Sequence, residues 1–181
     1  MKLKGPSGHP SLFITPAKRL TGFVQLSNVQ DQCFLNIVFM TIGEIQEQII
    51  EEFSIYDDWM DKYNFLIELS KDLKPLDVKY RAKEYLIEGC QSRVWLAAEF
   101  KDGIIEFFAD SDAIITKGIV ALLIRVLSNQ KPKDIKEADL YFIDRIGLRA
   151  NLSPTRSNGL LSMVKQMKLY ALAWDAKMGQ A

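Results

Sequence analysis

Few side chains in this 181-residue chain can do covalent chemistry. The single histidine is His9, in a Gly/Pro/Ser-rich N-terminal stretch, and the cysteines are Cys33 and Cys90. A domain built from the residues after about position 40 contains no imidazole, which excludes Ser-His-Asp and Cys-His nucleophile pairs and any zinc site that needs histidine. There is no CxxC, so one chain cannot supply a four-thiolate metal site. What remains are carboxylates, Lys/Arg, hydroxyls and one thiol, Cys90, in Glu88-Gly89-Cys90-Gln91-Ser92-Arg93. Gly89 predicts a tight turn presenting Cys90 at a sheet edge. By spacing alone a free cysteine is most often a small buried hydrophobe. The functional reading is a nucleophile acting as thiolate, whose ordinary pKa of about 8.5 falls only beside positive charge or backbone donors. Arg93 is close in sequence, although a strand would turn it away. Without a histidine base, a thiolate suits exchange chemistry, in which sulfur attacks sulfur with little proton transfer. No second cysteine lies in the folded part to resolve a disulfide. Relay of a sulfur atom as a persulfide needs one thiol only.

The rest of the composition narrows the setting. Basic and acidic groups balance at 23 each, which argues against a nucleic-acid-binding domain. Two cysteines cannot form a disulfide framework, so a reducing, cytoplasmic compartment is expected. Residues 1–39 show no sustained period and are interrupted by Gly5, Pro6, Gly8, Pro10 and Pro16. Their apolar patches, Leu12 to Ile14 and Cys33 to Phe39, are too short for a signal peptide or a membrane span. Thr41-Ile42-Gly43-Glu44 carries a capping-box signature. Residues 1–39 are therefore read as a poorly ordered extension or an upstream start-codon choice before a start at Met40; the rival reading is a strand or arm that docks on the domain. The extension is mildly basic and leaves 19 basic and 22 acidic groups in the remainder.

That remainder predicts an α+β domain. Ile42, Ile45, Ile49, Ile50 and Phe53 share one helical face, so a helix runs from Thr41 to about Phe53. Asp57-Asp58 opens a second helix with Trp59, Tyr63, Leu66 and Ile67 as its stripe, and the two are expected to pair as a hairpin. Val94, Leu96, Ala98 and Phe100 alternate along a strand, Lys101-Asp102-Gly103 supplies a turn, and Ile104 to Phe108 returns. Asp110-Ser111-Asp112 offers N-caps for a buried helix from Ala113 to Leu127, with Gly118 packed closely against the sheet. Lys117 and Arg125 rule that segment out as a membrane span. Short helices follow around Pro132–Ala138 and Leu140–Ile146. Ser153-Pro154 then opens a last helix with the stripe Leu160, Met163, Val164, Met167, Tyr170, Ala171 and Trp174. Residues 175–181 are expected to fray.

From Met40 to Trp174 the chain resembles the SufE-like cysteine desulfuration proteins. The resemblance is collinear, through Gly89-Cys90-Gln91-Ser92-Arg93-Val94-Trp95, Ala109-Asp110-Ser111-Asp112-Ala113, Lys117-Gly118 and Leu152-Ser153-Pro154-Thr155-Arg156-Ser157-Asn158-Gly159-Leu160. It implies a SufE/NifU-like fold, a small antiparallel β-sheet packed on one side by helices. It also implies that Cys90 takes persulfide sulfur from a pyridoxal-phosphate-dependent cysteine desulfurase (SufS-like), stimulates it, and passes sulfur to a SUF scaffold complex (SufBCD-like). The family's cysteine loop rests shielded and swings out on docking. The chain is then a carrier and activator rather than an enzyme, with no cofactor or metal of its own, no nucleic acid and no membrane partner. Gly89, Gln91, Ser92, Arg93, Asp112 and Arg156 are the expected surroundings of the persulfide. Asp112 and the neighbouring Asp110 and Ser111 have a rival reading as helix caps, and Trp95 as either a partner-facing anchor or a packed strand residue. A stand-alone thiol enzyme and a cluster-scaffold-like protein are the alternatives from other classes.

Overall fold

The computed structural model describes residues 40–179. The extension expected over residues 1–39, and with it the reading of Met40 as the start, lies outside the described residues. Helix α1 (Ile42–Ser54) begins at the expected capping box: Thr41 Oγ1 accepts the Glu44 N–H at 3.3 Å, and the Glu44 carboxylate accepts the Thr41 N–H at 2.8 Å. Its buried stripe includes Gln46, which donates to Asp139 O at 3.0 Å and accepts from Phe142 N at 3.3 Å. Those bonds satisfy an amide that the apolar pattern does not include.

Helix α2 (Trp59–Lys71) starts at Asp58, whose side chain accepts the Asp61 N–H at 2.9 Å. Strands β1 (Val94–Lys101) and β2 (Ile104–Ser111) pair antiparallel, Val94 opposite Ser111 and Lys101 opposite Ile104. Asp102 and Gly103, at φ 53° and 85°, form the two-residue turn between them. Helix α3 (Ile114–Leu127) follows, then the short helices α4 (Pro132–Glu137), α5 (Phe142–Arg145) and α6 (Leu148–Asn151), and finally α7 (Pro154–Met178).

The helices do not pair as the sequence suggests. α1 and α2 form no hairpin; they meet at their joint, where the Phe53 and Phe65 rings lie 5.1 Å apart. α2 instead runs along α3, while α1 packs on α3 and α5. Gly118 is the reason. A Cβ at that position would stand 2.2 Å from the Leu66 carbonyl oxygen, so its close approach is to α2 and not to the sheet.

One sheet face, with Val94, Leu96, Phe107 and Ala109, joins the helical core beside Leu123, Met163 and Met167. The opposite face is covered by two 3₁₀ turns, Val78–Tyr80 and Lys83–Tyr85, in a stretch with no periodic signal in the sequence. Tyr80 stacks on Phe108 and hydrogen-bonds Glu99, and Arg81 binds Asp110. The α+β class therefore holds, with helices on one side of a small antiparallel sheet.

Two boundaries differ from expectation. β2 continues through Asp110 and Ser111, which pair with Trp95 and Val94, and α3 starts after Ala113 with no side-chain cap. The three polar residues are diverted: Arg81 and Lys117 take Asp110, Arg93 takes Asp112, and Ser111 accepts from Ala113 N at 3.3 Å. At the other end, α7 continues past Trp174 to Met178, steadied by an Asp175–Lys136 ion pair. Ser153 stands at its N-cap, but its hydroxyl meets Thr155 Oγ1 at 3.2 Å instead of a backbone N–H. No helix among the described residues is long and apolar enough to cross a membrane.

Candidate functional site

Cys90 lies in a six-residue loop, Glu88 to Arg93, closed like an irregular hairpin. Leu86 bridges Trp95, and Ile87 N donates to Val94 O at 2.9 Å. Gly89 turns the chain at φ 86°, a conformation that side chains with a Cβ seldom adopt. The turn lays Cys90 against the first part of α7. Its Sγ donates to the Gly159 carbonyl at 3.6 Å, and a Cβ on Gly159 would come within 3.3 Å of the sulfur. Residue 159 thus leaves room for the thiol at the helix surface.

The thiol is half-buried, and burial pushes its pKa above the ordinary thiol range. A carbonyl acceptor favours the same protonated form. Inward of the sulfur is a cavity of about 10 Å³ lined by Cys90, Thr116, Ile119, Thr155, Arg156 and Met163, among others. Outward, a shallower groove runs over the loop between Lys83, Ile87, Glu88 and Arg93.

The residues expected around the persulfide divide into two groups. Gln91, Ser92 and Arg156 line the inner cavity with Cys90. The loop is pinned to the start of α7 by Thr155 Oγ1, which donates to Gln91 Oε1 at 3.1 Å. Arg156 Nη1 reaches Tyr63 OH at 3.5 Å, tying the same turn to α2. Arg93 and Asp112 form the second group, at the loop's exit. Asp112 accepts from Arg93 N at 3.0 Å and from Arg93 Nε at 2.9 Å, which holds its carboxyl below the usual aspartate range. Arg93 points outward, 69% exposed, with its guanidinium carbon 5.6 Å from the Trp95 ring centre. It does not line the inner cavity. Trp95 is 9% exposed and packed, not an outward anchor.

Thr116, Ile119 and Met163 also line the cavity, and sequence reasoning does not find them as site residues. Periodicity marks Met163 only as a stripe residue, and Thr116 carries no signal at all. Gly159 has one, being a glycine in a helix interior that no turn explains. Among the described residues no three His, Cys, Asp or Glu side chains converge as a metal site.

Comparison with known proteins identifies the family of the chain. A family model described as SufE, an Fe-S metabolism associated domain, matches residues 47–171. A SufE-like protein of Rhizobium etli is 41% identical over 127 residues, covering 67% of this chain and 86% of the relative. SufE-like protein 1 of Arabidopsis thaliana, named as chloroplastic/mitochondrial, is 37% identical over 132 residues, covering 72% of this chain and 36% of that longer one. A solution structure of a hypothetical protein from Thermus thermophilus superposes with a TM-score of 0.61 at 18% identity, covering 71% of this chain and 94% of that one. That likeness is one of fold.

Proposed function

This chain belongs to the SufE family and so to iron–sulfur metabolism, and from that premise we propose that Cys90 accepts sulfur from a pyridoxal-phosphate-dependent cysteine desulfurase. The desulfurase presents a persulfide on its own cysteine. The Cys90 thiolate attacks the terminal sulfur of that persulfide. A new S–S bond forms at Cys90, the donor's S–S bond breaks, and the donor cysteine leaves as thiolate. The proton lost by Cys90 goes to solvent and one returns to the donor. Sulfur moves between two thiols with no net oxidation, so neither a histidine base nor a second cysteine is required.

The observation that carries this reading is the setting of Cys90. The only described cysteine lies half-buried against Gly159 O, its pKa raised by burial, in a loop fastened by few bonds. A half-buried, protonated thiol is a poor nucleophile and a poor target for oxidants. Transfer therefore calls for the loop to leave α7 when the desulfurase docks, breaking the Cys90–Gly159 and Thr155–Gln91 contacts. Outside the cavity the sulfur loses its desolvation and ionises more readily. Passing the persulfide on to a cluster scaffold frees the thiol for another cycle and relieves the desulfurase of its product, in a reducing cytoplasmic setting. Gly89, Gln91, Ser92, Arg93, Asp112 and Arg156 hold or release the loop.

Mass spectrometry after incubation with purified desulfurase and cysteine tests the proposal. The protein gains the mass of one sulfur atom, removable by a reductant, and Cys90→Ser gains none and fails to stimulate the desulfurase. An unmodified wild-type protein, or uptake that survives the substitution, overturns it.

A further inference from the structure

Helix α7 has two faces of interest, and sulfur transfer uses only one. Arg156, Gly159 and Met163 face the Cys90 loop. About 180° around the helix at 3.6 residues per turn, Leu161, Val164, Leu169 and Leu172 form an apolar stripe. With Lys136 of α4, it makes a groove of about 360 Å³. Leu161, Leu169 and Leu172 are 52, 45 and 49% exposed. Large aliphatic side chains recurring along one stripe of a helix are a feature of surfaces that receive another element.

The charged side chains that line the groove are all lysines. Lys136, Lys165 and Lys168 line it, and no acidic side chain does. Lys136 is paired with Asp175, and Lys168 donates to Ala138 O at 2.6 Å, so both are fixed in place. Lys165 makes no ion pair among the described residues. A second copy of this face would set lysine against lysine, which disfavours self-association through it. The domain as a whole is acidic, so this cationic border is local and runs against the net charge.

We propose that this groove docks an amphipathic helix of a partner protein, one with an apolar stripe flanked by glutamate or aspartate. The leucines of α7 receive the stripe, ridge into groove as between packed helices. Lys165, with the Lys168 charge beside it, pairs with the flanking acids and sets the orientation. The span from Leu161 to Leu172 is about 16 Å at 1.5 Å per residue, enough for three turns of the incoming helix. Because the groove lies across α7 from Cys90, its occupant leaves the thiol loop accessible. It tethers the protein without taking the sulfur itself.

The test uses the full-length protein and a fluorescently labelled probe peptide of about three heptads, with leucine at a and d positions and glutamate flanking them. Repulsion between its glutamates keeps the probe monomeric. A second probe has the same leucines with lysine flanks. Fluorescence anisotropy is expected to show saturable binding of the acidic probe, at least about tenfold tighter than the basic one. Raising the salt weakens it, and Leu169→Glu/Leu172→Glu abolishes it. Lys165→Glu, which leaves the leucines intact, lowers affinity for the acidic probe and raises it for the basic one. No binding of the acidic probe, or equal binding of both, overturns the proposal. So does a dimer seen by light scattering that Leu169→Glu disperses, which assigns the stripe to a second copy. Leucine-dependent binding to vesicles of anionic phospholipid with no binding of the acidic probe overturns it in favour of a membrane surface.

Discussion

Cys90 sits half-buried against the Gly159 backbone. Burial raises its pKa, so the thiolate fraction at neutral pH is small. Alkylation by iodoacetamide in the isolated protein is expected to be slower than that of a free thiol. Its midpoint in pH lies above the ordinary thiol value of about 8.5 and returns to that value in denaturant. A midpoint below the ordinary value would show a thiolate-stabilising site instead. By linkage, the same shift favours the folded state below the unfolded thiol pKa and is lost as pH rises through the folded one. Gly159 offers a sharper probe. Alanine in a helix interior is favoured over glycine by up to about 1 kcal/mol, but here its Cβ would sit 3.3 Å from Sγ, so the thiol must give way. Gly159→Ala is expected to leave the unfolding midpoint nearly unchanged while speeding alkylation of Cys90 severalfold. Equal alkylation rates would show that the loop absorbs the methyl without moving. Cys90 stands out in the sequence as the one thiol left in a domain without histidine, and the family resemblance makes it the candidate nucleophile. Its neighbours Thr116, Ile119 and Met163 do not stand out, since they arrive from helices distant in sequence and carry no chemistry of their own.

Two contacts between elements decide how the loop is held. Gly118 lets α3 and α2 approach until a methyl group would collide with the Leu66 backbone. Backbone cannot swing aside as a side chain can, so Gly118→Ala is expected to destabilise by about 1–3 kcal/mol despite its better helix propensity; a chemical-denaturation curve reads this directly. Asp110 is the other. Burial by itself would raise its pKa, but Lys117, the Ser111 N–H and Arg81 outweigh that and hold it below the usual aspartate range. It ties β2 to α3 and to the turn that leads into the Cys90 loop. Asp110→Asn is expected to lose about 1.5–3 kcal/mol near neutral pH, the scale of charge-assisted bonds. A lowered folded pKa stabilises above the unfolded value of about 3.9 and is lost as pH falls through the folded one. The gap between wild type and Asp110→Asn therefore closes below about pH 4; a constant gap would mean that shape, not charge, is what Asp110 contributes. The helices and hairpin are legible because each carries its own period. The Asp110-Ser111-Asp112 run reads as helix caps in the sequence because a cap and a strand end use the same residue types. Only the cations on neighbouring elements separate the two.

At the scale of the molecule, sulfur uptake is proposed to reside in residues 40–174. A chain beginning at Met40 is expected to accept sulfur from the desulfurase at the rate of the full-length protein, as followed by mass spectrometry; a severalfold slower rate would give residues 1–39 a part in the transfer. By itself the sequence determined which chemistry is open to this protein. Residue types cannot be changed by folding, and a domain with no histidine and one thiol excludes histidine-dependent nucleophilic mechanisms while leaving thiol chemistry at Cys90 open. It also determined where most helices and both strands run, because amphipathic period and turn chemistry are local. Tertiary structure alone decided that α2 lies on α3, that Asp112 serves Arg93, and that the thiol rests half-buried against Gly159. It likewise decided that α7 turns a lysine-bordered leucine stripe away from the site. Those outcomes depend on which surfaces meet across dozens of residues, and a pattern of types along the chain carries no distance between them.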